Sequence, residues 1–73
     1  MYAKAKITLK DGTTVVFKAN DESSIADFLY EIMGEKLEGS IGVPIFIEAS
    51  AWCPMACIGD TFEREDFTIE IVE

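Results

Sequence analysis

The residues with the clearest chemical potential are two cysteines in one short segment, Cys53 and Cys57, which are separated by three residues. Two thiols can be oxidised to a disulfide or can bind a soft metal as thiolates. A structural zinc ion takes about four Cys or His ligands, and the chain has no histidine and two cysteines. A metal site would therefore need four cysteines shared across a dimer, or Cu(I) bound together with Met55.

The surroundings of the two cysteines favour packing over reactivity. Trp52-Cys53 after the apolar run 43–47 is similar to the opening of thioredoxin-like redox sites, but such sites place two residues between the cysteines, and too few residues follow here for the rest of that fold. Cysteine is among the most frequently buried residue types, and neighbouring carboxylates disfavour a thiolate. We therefore expect core thiols, with dithiol or metal chemistry at Cys53 and Cys57 as the alternative. The nearest carboxylates in sequence are Glu48, Asp60, Glu63 and Glu65.

Other catalytic groups are scarce. Without histidine, no side chain titrates near neutrality at its ordinary pKa, and no glycine-rich phosphate loop is present. The carboxylates of Glu63, Glu65 and Asp66 lie in a polar stretch typical of a solvated loop, and paired carboxylates act as acid and base when their environments separate their pKa values. We expect no enzymatic activity and no cofactor.

Charge is distributed unevenly along the chain. The net charge is −8, from 14 acidic and 6 basic residues. Residues 1–19 carry four lysines against Asp11, a balance of +3, whereas residues 20–73 carry Lys36 and Arg64 against thirteen carboxylates, a balance of −11. Affinity for phosphate backbones and anionic lipid depends on Lys and Arg. The composition therefore argues against nucleic acid and membrane surfaces as partners and favours another protein with a basic surface.

Length and hydropathy predict a single soluble domain over residues 1–73. The chain has no run of about 20 apolar residues that could span a bilayer. Its N-terminal residues run directly into an alternating pattern and do not resemble a signal peptide, so we expect a cytoplasmic protein.

Alternating apolar and polar residues predict strands at both ends of the chain. Ala3–Leu9 and Thr13–Ala19 alternate around Asp11-Gly12, a strong hairpin signal. Phe67–Val72 alternates again, and the β-branched run Val43–Ala49 predicts a further strand. Between Ser50 and Asp66 the pattern is irregular and predicts a turn at residues 52–56, a short strand near Cys57-Ile58 and a polar loop at residues 63–66.

A helix is predicted between the second and third strands. Ser24-Ile25-Ala26-Asp27 approximates a capping box, which places the helix start near Ser24. The apolar stripe and the acidic outward face both follow helical spacing, and Gly34 or Gly39 can end the helix. The stripe consists of Ile25, Phe28, Leu29, Ile32, Met33 and Leu37, and the outward face carries Asp27, Glu31, Glu35 and Glu38.

This order of elements resembles the β-grasp fold of the ubiquitin-like superfamily. Residues 7–13 are similar to its opening hairpin, particularly that of the small domains appended to threonyl-tRNA synthetases and certain GTPases, and residues 24–29 resemble the capped helix that follows. The resemblance implies an α+β domain of ββαββ order, with a mixed sheet of four to five strands packed on one helix and the last strand beside the first. The end of the chain, Ile71-Val72-Glu73, lacks the Gly-Gly tail of ubiquitin-like modifiers and sulfur carriers, so the resemblance does not imply conjugation or sulfur transfer.

These observations predict a small non-enzymatic module that binds another protein through its acidic surface or its exposed sheet. One alternative is an inhibitor that imitates nucleic-acid charge and blocks a basic cleft, as small phage-encoded antagonists of host defence do; the other is the dithiol or metal protein described above. Lys4 and Lys6 share the outward face of the first strand, where Glu70 is expected opposite them in a cross-strand ion pair. The candidate binding residues are Asp27, Glu31, Glu35, Glu38, Glu63, Glu65 and Asp66.

Overall fold

The computed structural model describes residues 3–33 and 48–73, and these form an α+β arrangement with a four-stranded antiparallel sheet. The first two strands, β1 (Lys4–Leu9) and β2 (Thr14–Lys18), form the predicted hairpin. The Gly12 N–H donates to the Leu9 carbonyl (3.0 Å), and the Leu9 N–H donates to the Thr13 carbonyl (2.8 Å). Gly12 has a φ of +92°, a conformation that glycine adopts without steric cost, so it closes the loop 10–12.

Helix α1 (Glu22–Met33) begins earlier than the capping box predicts. The Asp21 carboxylate accepts a hydrogen bond from the Ser24 N–H (3.3 Å), and the Asp21 carbonyl accepts one from the Ile25 N–H (3.1 Å). Asp21 is therefore the capping residue, and Ser24 lies in the first turn of the helix. The predicted terminators Gly34 and Gly39 lie outside the described residues.

A helical segment replaces the end of the third predicted strand. Residues 48–52 are helical and continue into a 3-10 turn, Cys53–Met55. The strand prediction is thus wrong at Glu48 and Ala49, while residues 43–47 lie outside the described part of the chain. The prediction of a turn within residues 52–56 is confirmed, since the Ala56 N–H donates to the Trp52 carbonyl (3.0 Å).

Two strands complete the described structure, β3 (Thr61–Glu63) and β4 (Phe67–Val72). The prediction for β4 is confirmed, but the prediction of a short strand near Cys57-Ile58 is wrong. The Asp60 N–H donates to the Cys57 carbonyl (2.9 Å), so residues 57–60 form a turn. The third strand begins after that turn.

The sheet order is β2-β1-β4-β3, and all three described pairings are antiparallel. The last strand lies beside the first, as predicted, but the prediction of a mixed sheet is not met by the described strands. A second helical segment is present where the resemblance implies one helix. The described residues therefore do not support the β-grasp arrangement, which stays a prediction.

The core lies on one face of the sheet and is densest at the central pair of strands. Ile7 lies opposite Ile69, and Ala5 lies opposite Ile71; all four are fully buried. Fully burying an isoleucine side chain contributes about 1.5–3 kcal/mol, so this central pairing accounts for much of the stability. The buried apolar residues among those described are Ala5, Ile7, Ala19, Ile25, Leu29, Ala49, Cys53, Phe67, Ile69 and Ile71.

Two aromatic contacts show which part of the sheet each helical segment covers. The ring of Phe28 in α1 lies 5.5 Å from that of Phe17 in β2, and the ring of Trp52 lies 5.4 Å from that of Phe62 in β3. Because β2 and β3 are the outer strands of the described sheet, α1 packs toward one edge and the 48–52 segment toward the other. In the described residues we find no helix with the length and apolar content needed to cross a bilayer.

Candidate functional site

The acidic residues predicted to form one binding surface fall into two groups. Asp27 and Glu31 are exposed on α1, toward the β2 edge of the sheet. Glu63 ends β3 and Glu65 lies in the turn that follows, and both are exposed at the β3 edge, while Asp66 is half-buried. Strands are spaced about 4.8 Å apart, so the outer strands lie about 14 Å apart. The remaining predicted residues, Glu35 and Glu38, lie outside the described residues.

Arg64 holds the β3–β4 turn against the helical segment. Its Nη2 donates to the Glu48 carboxylate (3.1 Å), and its Nη1 donates to the Glu63 carbonyl (2.8 Å). The guanidinium carbon lies 4.0 Å from the centre of the Phe62 ring, a cation–π geometry. Both charged side chains of the ion pair are exposed, so the pair contributes less than about 1 kcal/mol to stability. Its larger effect is on the charge that the surface presents.

Residues 48–73 hold seven carboxylates and one cation, Arg64. The Arg64 guanidinium lies over Phe62 and forms its ion pair with Glu48, and not with the carboxylates of Glu63 and Glu65 on either side of it. The exposed side chains of Glu63 and Glu65 therefore present negative charge at the β3–β4 turn, and the exposed Asp60 lies at the other end of β3.

The two cysteines lie in different environments. Cys53 is fully buried and packs in the core, and burial raises the pKa of its thiol to about 11. Cys57 is exposed, and both are free thiols. A buried thiol of raised pKa is a poor nucleophile and a poor metal ligand. The expectation of core packing is confirmed for Cys53 and is wrong for Cys57. Within residues 3–33 and 48–73, no group of three or more Cys, Asp or Glu side chains is arranged to hold a metal ion.

An exposed apolar segment lies where the sequence pattern predicts a turn followed by a short strand. Residues 54–58, hereafter the apolar tip, include Met55 at 84% exposure and Ile58 at 55%. Pro54 and Cys57 are also exposed, whereas Ala56 packs against the core. The signal available in the sequence was the pair Gly59-Asp60, which marks a turn directly after an apolar run.

Hydrogen bonds fix the backbone that carries the apolar tip. The Cys57 N–H donates to the Asp60 carboxylate (2.9 Å), and the Asp60 N–H donates back to the Cys57 carbonyl (2.9 Å). Gly59, the third residue of this turn, has a φ of +97°, the conformation that a type II turn requires there. Two further bonds tie the turn to β4: the Gly59 N–H donates to the Ile71 carbonyl (2.8 Å), and the Ile71 N–H donates to the Asp60 carbonyl (3.0 Å).

The second face of the sheet is exposed and polar. Lys4 and Lys6 project from β1 on this face, and the predicted neighbour Glu70 lies directly opposite Lys6 on β4. On the other side of β1, Lys18 lies opposite Lys4 and Val16 lies opposite Lys6. Antiparallel sheets commonly leave one face to solvent, so this arrangement requires no partner.

The chain was compared with family models, with curated proteins and with solved structures. No family model, curated protein or solved structure matches it. A functional assignment must therefore come from the geometry and charge of the described residues.

Proposed function

We propose that the protein is a non-enzymatic interaction module that binds a basic surface of another protein through the carboxylates around the β3–β4 turn. The observation that carries this proposal is the engagement of Arg64 by Glu48 and Phe62. It leaves Glu63 and Glu65, on either side of Arg64, exposed and without an ion pair to that cation.

The backbone that carries Glu63 and Glu65 is held on both sides of the β3–β4 turn. The Arg64 N–H donates to the Phe67 carbonyl (2.9 Å) across the turn, and the Arg64 side chain holds it against Glu48. Carboxylates on a fixed backbone lose little freedom when a partner binds, and a partner of opposite charge is attracted before contact is made. Asp27 and Glu31 lie toward the other edge of the sheet, so they provide an internal control.

The first experiment uses the full chain as bait and identifies the protein that it captures from its native cell at low salt. That protein is then purified and titrated with wild type, with Glu63→Gln/Glu65→Gln and with Asp27→Asn/Glu31→Gln. We expect the β3–β4 variant to weaken Kd by about 10-fold, as the loss of two interfacial charges implies, and the α1 variant to bind within about twofold of wild type. Circular dichroism checks that each variant is folded.

Ionic strength provides the second measurement. Binding through exposed charges weakens as salt rises from about 0.05 M to about 0.5 M, because the screening length shortens. An affinity that changes neither with salt nor with Glu63→Gln/Glu65→Gln would overturn the proposal.

Competition by duplex DNA tests the alternative, nucleic-acid mimicry. If the partner is a nucleic-acid-binding protein and DNA displaces the chain from it, the carboxylates act as phosphate mimics. If DNA has no effect, the partner recognises the chain as a protein surface.

A further inference from the structure

We infer that the apolar tip is the anchor of this interaction, and that Met55 and Ile58 insert into an apolar pocket with a basic rim on the partner protein. This inference rests on the proposed function and names the shape and chemistry of the surface that the chain recognises. Its basis is the combination of an exposed apolar segment, a fixed backbone and adjacent negative charge.

Buried residues and hydrogen bonds on either side of Met55 and Ile58 keep the apolar tip exposed. Cys53 before it is fully buried, and Ala56 within it packs against the core. The turn that follows is tied to β4 through Gly59 and Asp60. With these anchor points held, Met55 and Ile58 remain in solvent at 84% and 55% exposure. Exposed apolar segments with polar surroundings are typical of interaction sites.

The rigidity of the turn lowers the cost of binding. The reciprocal Cys57–Asp60 hydrogen bonds and the left-handed Gly59 hold residues 57–60 in one conformation. A segment that is already ordered pays little conformational entropy on association, so its apolar contacts contribute more fully to affinity.

The charge beside the apolar tip distinguishes between its possible binding partners. If two copies of the chain met tip to tip, the exposed Asp60 carboxylates beside the two tips would be brought against each other. An anionic membrane would repel the same carboxylates. A protein pocket rimmed by Lys or Arg instead gains from the exposed Asp60 carboxylate, which directly follows the apolar tip, while its apolar floor buries Met55 and Ile58.

Two exposed β-branched residues supply a matched pair of variants. Ile58 on the apolar tip is 55% exposed, and Val16 on the open sheet face is 50% exposed; each is replaced by threonine. Met55→Gln keeps the length of the side chain and removes its apolar end. All three positions are on the surface, so the variants should remain folded, which circular dichroism and thermal melting verify.

The test measures Kd between each variant and the purified partner identified above, by calorimetry. We expect Met55→Gln/Ile58→Thr to weaken Kd by about 10- to 100-fold, the range of an interface anchor, with an unchanged salt dependence. Val16→Thr should bind within about twofold of wild type.

Several outcomes would overturn the inference. If Met55→Gln/Ile58→Thr binds like wild type while Glu63→Gln/Glu65→Gln binds weakly, the proposed function stands and the anchor is elsewhere. If the wild type sediments as a dimer that the tip variant dissociates, or binds neutral phosphatidylcholine vesicles through the tip, the occupant is a second copy or a membrane. If the wild type captures no partner, the proposed function fails and the inference fails with it.

Discussion

The buried thiol of Cys53 predicts a specific loss of stability in alkaline solution. The pKa of this thiol is raised from 9.0 to about 11 because burial disfavours its charged form. In the unfolded chain the thiol ionises at its ordinary pKa. Well below pH 9 it is neutral in both states and has no effect on the pH dependence of stability. Between pH 9 and pH 11 the unfolded chain loses this proton more readily than the folded one, so the folded state is progressively destabilised.

The size of the effect follows from the shift in pKa. One pKa unit corresponds to about 1.4 kcal/mol. The folded and unfolded thiols differ by about two pKa units, and at pH 11 the folded thiol is itself half ionised, so the full effect is not yet reached. The free energy of unfolding is therefore lower by about 2 kcal/mol at that pH. Small domains are stable by roughly 5–15 kcal/mol. A loss of this size is readily measured.

The assay is urea unfolding monitored by the fluorescence of Trp52, the single tryptophan, at intervals from pH 8 to pH 11. Cys57→Ser is present in both proteins to prevent disulfide formation, and Cys53→Ala is added to one. Other groups that titrate in this range affect both proteins equally, and the cost of the small cavity is independent of pH. Between pH 9 and pH 11, we expect the free energy of unfolding of the protein that keeps Cys53 to fall by about 2 kcal/mol more than that of the Cys53→Ala protein. Parallel pH profiles would show that burial does not hold this thiol neutral.

Three further changes test the packing, the turn and the surface contacts. Ile69→Ala should cost about 2–5 kcal/mol in urea unfolding, because it opens a cavity opposite Ile7; a loss below about 1 kcal/mol would contradict the central position of this pair. Gly59→Ala should lower stability by about 1 kcal/mol, seen as a lower melting temperature, through its positive φ alone, since an added Cβ meets no atom within 4 Å; an unchanged melt would contradict the turn geometry. Glu48→Gln should cost less than about 1 kcal/mol, and salt should reduce that cost; a larger, salt-independent cost would show a role beyond the ion pair.

The strands and the helix could be predicted where apolar residues repeat at one regular spacing along the sequence. The alternation of residues 4–9 and 67–72 matches the buried residues Ala5, Ile7, Phe67, Ile69 and Ile71, because a strand with one covered face must alternate. The stripe of α1 was predicted for the same reason at helical spacing, and its members Ile25 and Leu29 are buried.

Local ambiguity explains the errors at element ends. Asp21 and Ser24 both carry oxygens that can cap a helix, and only the backbone conformation decides which of them does so. A short β-branched and aromatic run such as residues 43–49 is compatible with a strand or with a buried helical turn, and Glu48 and Ala49 prove to be helical.

The candidate site was less accessible to prediction because it depends on tertiary contacts. The separation of Asp27 and Glu31 from Glu63 and Glu65 follows from the order of the strands and from where each helical segment packs. The exposure of Met55 likewise depends on the burial of its neighbour Cys53. Apolar character alone predicts the opposite location.

The pairing of β1 with β4 also has a consequence for how the chain folds. The hairpin of β1 and β2 joins residues close in sequence, whereas Lys4 pairs with Val72 at the far end of the described chain. Closing so long a loop is entropically costly, and topologies dominated by such distant pairings fold in roughly milliseconds to seconds. During synthesis, the hairpin emerges first and exposes the backbone edge of β1 until residues 67–72 arrive. The interval before β4 docks is therefore when this protein is most exposed to aggregation through strand pairing.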